Sequence, residues 1–318
     1  QDLEGAAWKT EYDVVSTLRK LGHDVQPLGV KSDLEVIRAA VEDWKPHIAF
    51  NLLEEFDGRA VYDQNVVSYL ELMRIPYTGC NPRGLMLARD KALAKQVMSY
   101  HRIPYPEFMV VPLHRMVRRP KYLPFPLIVK SISEEASLGI SQASIVDDDE
   151  KLRERVAFIH DNVGTGALIE RYIEGRELYV GVMGNAHLQV FPVWELVMDK
   201  MPDEARRIAT ERVKWSRKYQ DKYGICSCEA RNLPDGVVDY IQYLAKRVYR
   251  ALGLSGYARI DMRMDKDGNV YVLEANPNPQ IATGEDFADS AEKADLAYKD
   301  LLQELLHVGL RWRPAQAA

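Results

Sequence analysis

Cysteine is almost absent: Cys80, Cys226 and Cys228 are the only three in 318 residues. So few, and an odd number, cannot make a disulfide framework, so a reducing cytoplasm is the expected setting. Cys226-Ser-Cys228 has no second Cys or His pair nearby, and ordinary packing is preferred to a metal site. The chain also lacks any run approaching the ~20 apolar residues of a membrane span, and its first thirty residues hold no signal-peptide core. A protein with no membrane partner is expected. Long basic runs are missing too, and a formal charge of −5 provides no electrostatic reason to expect nucleic acid or an anionic membrane. Neither repeats nor low-complexity segments occur. What remains alternates helix and strand signals, an α/β pattern long enough for two or three domains at ~150 residues each.

The most informative stretch is Gly256 to Asn276. Asp267-Gly268 is a strong hairpin signal, and a two-residue type I′ loop there would set Lys266 opposite Asn269. That register puts Asp261 opposite Glu274 and Arg259 opposite Asn276, all four on one face. The other face would be apolar, with Ile260, Met262 and Met264 against Tyr271, Leu273 and Ala275. Two carboxylates and an amide are hard oxygen ligands suited to Mg2+, which keeps waters and shares itself with substrate phosphates. A solvated polar face with a cross-strand salt bridge would show the same alternation.

Upstream, helices are expected over Glu11–Leu21, Asp33–Trp44 and Tyr62–Arg74, with strands at Asp24–Leu28, His47–Asn51 and Pro76–Gly79. This is an open parallel βαβ series. No apolar strand precedes Glu11, where such a series normally begins, so the numbering is expected to start inside the first domain. A helix from Arg89 to Tyr100 carries Lys91 near its start, and the strand Phe125–Lys130 ends in lysine. Small residues follow from Ser131 to Ser141, as in a loop that covers phosphate. Ala167–Ile173 and Leu178–Met183 read as buried strands on either side of Glu174-Gly-Arg-Glu177.

The order Lys91, Lys130 with its loop, Glu170 and Glu177, then Arg259, Asp261, Glu274 and Asn276 resembles the ATP-grasp superfamily, and within it the D-alanine:D-alanine ligases. The likeness runs from Glu11 to about Leu310. It implies two α+β subdomains clamping ATP behind an N-terminal open parallel-sheet, Rossmann-like domain, with boundaries at 1–85, 86–174 and 175–318. Lys91 and Lys130 would contact ATP phosphates. Glu170, Tyr172 and Ile173 would form the hinge that meets the adenine edge, and Glu177 would hold the ribose. Lys214 resembles a lysine on a mobile loop closing over the γ-phosphate, although the charged stretch around it also fits a solvated helix. Asp261, Glu274 and Asn276 match the ligands of Mg2+, for which Mn2+ can substitute. Arg259 matches the arginine that steadies an acyl phosphate and its tetrahedral successor, and Glu11 the acid that holds the first substrate's ammonium. The implied activity is amide formation between a small-molecule carboxylate and an amine, with ATP as co-substrate. The family is commonly dimeric, and no interface is derivable from the sequence. A phosphotransferase on the same nucleotide site ranks below the ligase, and a non-catalytic ATP-binding protein ranks below both because every lysine and metal ligand is present.

Departures from the ligase pattern fall on the substrate side. Where the family has two adjacent serines, Ala136-Ser137 leaves Ser137 as the remaining catalytic hydroxyl. Leu53-Glu54 replaces an early His-Gly, Gln280 replaces a glycine, and Glu285-Asp286 replace a Ser-Leu pair that grips the second substrate's carboxylate. Two carboxylates there would repel a carboxylate and suit an amine or a cationic group. Alternatively, they favour the N-terminus of the following helix, Phe287–Ala297.

Overall fold

A computed structural model describes residues 8–132, 140–202 and 205–314 of the chain. The first third is helical: α1 (Lys9–Lys20), α2 (Glu35–Trp44), α3 (Asp63–Leu72), α4 (Pro82–Arg89) and α5 (Lys91–Tyr100). Caps set the last two. Asn81 accepts from Gly84 N ahead of a proline at the first turn of α4, and Asp90 accepts from Ala92 N and Leu93 N to start α5. Among the described residues the expected parallel sheet does not form here. The segments at 47–51 and 76–79 meet in a single parallel bridge, Ala49 to Tyr77, and Asp24–Leu28 is not a strand.

A four-stranded antiparallel sheet follows, built from β1 (Phe108–Val111), β2 (Leu127–Ser131), β3 (Ile145–Val146) and β4 (Ala167–Arg171) in the order β1-β4-β2-β3. Helix α6 (Asp149–Phe158) covers it, and Leu152, Val156, Leu127, Val129 and Ile169 make a core of its own. The second sheet contains β5 (Gly175–Gly184), β6 (Leu188–Val190) and β7 (Trp194–Val197), then, past the short helices α7 (Glu211–Trp215) and α8 (Arg217–Tyr223), β8 (Cys226–Glu229). After α9 (Val237–Ala251) it is completed by β9 (Tyr257–Asp265) and β10 (Val270–Asn276), and α10 (Asp286–Lys293) and α11 (Tyr298–Arg311) close the chain. Its order is β10-β9-β5-β7-β8, with β6 paired to β5 and every pairing antiparallel.

Helix α9 backs this sheet because its apolar residues recur on one face: Ile241, Leu244, Ala245, Val248 and Tyr249 are all buried. They share a core with Val180 of β5, Ile260 of β9 and Val272 of β10, and also with Val67 of α3, Leu85 of α4 and Met98 of α5. The early helices are therefore packed onto the six-stranded sheet. Helices α1, α10 and α11 form a further core through Val14, Leu18, Phe287 and Leu301.

The hairpin β9–β10 corrects the expected turn. Asp265 N donates to Asn269 O at 3.0 Å and Gly268 N to Asp265 O at 3.1 Å, so the loop is three residues, with Gly268 at φ 83°. The Asp265 carboxylate decides this by accepting from Asp267 N, Asn269 N and Asn269 Nδ2. Near the turn Val270 faces Met264 and Val272 faces Met262, one residue off the expected register. A bulge at Leu273 then restores it, so Glu274 does face Asp261 and Asn276 does face Arg259. The apolar back consequently holds Val270 and Val272, both buried. Tyr271 and Leu273, expected there, turn toward the other face: the Arg171 guanidinium lies 5.0 Å from the Tyr271 ring, and Leu273 borders the cleft.

Candidate active site

A cleft of about 820 Å³, open mouth included, lies between the two sheets. Its apolar lining includes Ile128, Ile140, Ile208 and Leu273, with Tyr172 and Ile173 from the segment after β4. Its polar lining includes Lys91, Lys130, Lys214, Glu170, Glu177, Asp261, Arg263 and Glu274. Nine of the residues proposed for nucleotide and metal thus converge, although they are drawn from positions 91 to 274.

Each arrives for a local reason. Lys91 stands at the first residue of α5, started by the Asp90 cap, and its Nζ is 3.4 Å from Glu274 Oε2. Lys130 lies next to the end of β2, and its Nζ is 2.8 Å from Glu170 Oε2. Lys214 rides on α7, whose start is capped by Thr210 Oγ1 accepting from Val213 N. Glu177 on β5 accepts from the Tyr179 hydroxyl at 2.9 Å and lies 3.7 Å from Arg263 Nη2.

Glu170 differs from the expected hinge acid. Its side chain is 1% exposed, and both carboxylate oxygens face ammonium groups, Lys130 on one side and Lys95 at 2.7 Å on the other. Tyr172 N donates to Pro126 O at 3.0 Å, so that backbone donor is also taken. Burial would raise the Glu170 carboxyl, but the two lysines outweigh it and hold it below its usual range.

The two opposed carboxylates are driven apart. Burial, with Glu274 as a like charge, raises Asp261 although Arg259 pulls the other way. Burial also acts upward on Glu274, but Lys91, Lys130 and Lys214 prevail and take it down to about 2. Among the described residues no group of three His, Cys, Asp or Glu side chains could by itself hold a metal ion. Two carboxylates that line the cleft, with Asn276 beside them on β10, are oxygen donors of the kind Mg2+ takes and would leave it ligands to find outside the protein. Asn276 Oδ1 also accepts from Asn278 N, which fixes the amide.

Beyond these carboxylates, three of the five N–H groups of Arg259 are engaged. Its Nε and Nη2 donate to Asp261 at 2.8 and 2.9 Å, its Nη1 donates to Asp286 at 3.3 Å, and the group lies 4.5 Å from the Tyr179 ring. Burial opposes its charge, but Asp261 and Asp286 more than compensate and raise it well above the usual range. Asp286 opens α10, while Glu285 occupies the N-cap position without making a capping bond. Burial and then Asp286 push the Glu285 carboxyl upward. Gln280 lies half-buried in the connection from β10 to α10.

One expected residue among those described is not brought in. Glu11 is exposed in the first turn of α1. Its neighbours reach the substrate side instead: Lys9 Nζ donates to Thr283 O at 2.5 Å, and Asp13 accepts from Thr283 N at 3.0 Å. Ser137, with most of its loop, lies outside the described residues. Arg263 and Lys95 were missed. Strand alternation from Arg259 and Asp261 points to Arg263, and the i to i+4 spacing from Lys91 points to Lys95. Cys226 and Cys228 are free thiols on β8, outside the cleft lining.

Comparison with known proteins identifies the fold and the family. The fold matches that of the D-alanine–D-alanine ligase of Bacillus anthracis complexed with ATP, at a TM-score of 0.76 and 24% identity over 95% of this chain and 91% of that one. The D-alanine–D-alanine ligase of Desulforudis audaxviator is 30% identical over 302 residues, 93% of this chain and 90% of its own. That of Bordetella petrii is 32% identical over 246 residues, 77% and 71% of the respective chains. The family described as D-ala D-ala ligase C-terminus matches residues 97–307, which span both sheets and the β9–β10 hairpin, and the chain belongs to this family of ATP-grasp ligases.

Proposed function

We propose that this protein uses Mg-ATP to join a small-molecule carboxylate to an amine through an acyl phosphate, and that its acceptor amine carries no carboxylate beside the nucleophile. One observation supports this above the others: three lysines and two opposed carboxylates converge on one cleft, with Arg259 beyond them.

Lys91, Lys130 and Lys214 suit the phosphates as compact cations that spread and offset charge. Asp261, Glu274 and Asn276 would hold Mg2+, which when bound polarises the γ-phosphoryl oxygens and orients them. Ile128, Ile208 and Leu273 offer apolar faces to the base, and Glu177 an acceptor for the ribose hydroxyls. The substrate carboxylate attacks the γ-phosphorus in line, giving an acyl phosphate and ADP. The amine then attacks the acyl carbon, and Arg259 is placed to stabilise the oxyanion before phosphate leaves. The protein's part is positioning and exclusion of water. Repulsion from Asp286 and Glu285 supports the acceptor assignment, while the two remaining N–H groups of Arg259 are left for the oxyanion. Domain limits at about residues 85 and 174 and a homodimer belong to the same reading.

The test is ADP and phosphate release with Mg-ATP across pairs of amino acids of both hands and amines, with products weighed. Release requiring both partners, with a product lighter than their sum by one water, is expected. A stable product heavier by a phosphoryl group, formed without an amine, would replace the ligase with a phosphotransferase.

A further inference from the structure

Helix α5 carries two lysines one turn apart, and only the first borders the cleft. Lys95 is completely buried, with its Nζ 2.7 Å from Glu170 Oε1 and donating to the Leu273 carbonyl at 2.9 Å. Glu170 therefore holds two ammonium groups. Lys95 is sealed, its side chain 1% exposed, whereas Lys130, at 13%, lines the cleft. Taken together the three groups carry one positive charge more than the carboxylate can neutralise. The second contact of Lys95 falls on the bulge residue of β10, immediately before Glu274.

We propose that Lys95 is a positioning residue: it is the standing counter-ion of Glu170, and so releases Lys130 to turn from Glu170 to a nucleotide phosphate. A carboxylate with so little exposure stays ionised only while a cation is beside it. With Lys95 in place, the departure of Lys130 leaves a neutral Lys95–Glu170 pair. Without it, the same movement strands a buried carboxylate, so Glu170 retains Lys130 and competes with the nucleotide. The shifts agree with this division. Burial lowers Lys95 and Glu170 only partly offsets it, whereas at Lys130 the pull of Glu170, with Glu274 behind it, exceeds the burial penalty and raises the group. Through Leu273 the same ammonium ties α5 to the strand that bears Glu274 and Asn276. The inference rests on the cleft being a nucleotide site.

Calorimetric titration of the full chain with a non-hydrolysable Mg-ATP analogue tests it without turnover. Lys95→Met should weaken binding by about tenfold or more, equivalent to about 1.4 kcal/mol. Lys95→Met combined with Glu170→Gln should return to within about threefold of Glu170→Gln alone, because no carboxylate then detains Lys130. Rescue of affinity by removing a second buried charge is what a purely structural role would not produce. Wild-type-like binding by Lys95→Met, or a double variant as weak as the single, overturns the proposal. If Lys95→Met does not fold, the double variant and Glu170→Gln are compared directly, and a gap of more than about threefold between them overturns it. Failure of the wild-type chain to bind the analogue would overturn the nucleotide reading itself, and this inference with it.

Discussion

Replacing Asp286 with leucine and Glu285 with serine should turn the enzyme toward acceptors that carry an α-carboxylate. In the native site Asp261 takes the Nε–Nη2 edge of Arg259 and Asp286 takes Nη1, so no edge is left for a second bidentate carboxylate. An incoming carboxylate must displace Asp286 or lie beside it. Two like charges ~4 Å apart at an effective dielectric of 20 repel by about 4 kcal/mol, and partial solvent access roughly halves this. The Asp286 and Arg259 side chains are 20% and 16% exposed, so that discount is apt. About 2 kcal/mol corresponds to a change of roughly thirtyfold in selectivity. The assay is kcat/KM from ADP release for an amino acid and for the amine left when its carboxylate is removed, in wild type and variant. The ratio should move toward the amino acid by roughly thirtyfold. A shift of less than about threefold, or a wild-type enzyme that already prefers the amino acid, would refute the reasoning.

Other expectations are more local. Glu170 is held below the ordinary carboxyl range, so its contribution to stability is complete above the unfolded value near 4.5 and is lost as pH falls through the folded one. Glu170→Gln should therefore have a lower melting temperature at neutral pH but a shallower decline on acidification, and parallel pH profiles would contradict this. Gly256→Ala should destabilise by about 3 kcal/mol or more, read from urea unfolding. The residue lies at φ 71°, and a Cβ would sit 2.2 Å from the Gly79 carbonyl oxygen, a backbone atom that cannot step aside. Cys226 is exposed whereas Cys80 is buried, with burial pushing its thiol up to about 12. A thiol reagent at mild pH should label Cys226 in the native protein and reach Cys80 only on unfolding, and rapid native labelling of Cys80, read by peptide mass, would refute its burial.

The hairpin shows how legibility varies with scale. Its functional face could be read because alternation is a local rule and Asp261 and Glu274 are separated by a short turn. The loop itself was misread because the Asp265 side chain, rather than Asp267-Gly268, sets its length. The register at the site survived because the Leu273 bulge cancels the error. In the first third, four of the five helices were legible from their spacing, within a few residues of those observed, whereas α4 was missed and the expected strands meet only at the bridge from Ala49 to Tyr77. Short apolar runs do not reveal whether a partner edge will be within reach.

Glu11 was chosen by its place in the chain, and the turn of α1 points it to solvent while Lys9 and Asp13 face Thr283. By itself the sequence determined which residues can bear charge and metal, because side-chain chemistry and strand alternation are local properties. Only the tertiary structure decided which charges from different elements meet. Lys95, Lys130 and Glu170 become one buried group, and Asp286 closes onto Arg259, because elements distant in the chain pack against each other and exclude the water that would otherwise screen them.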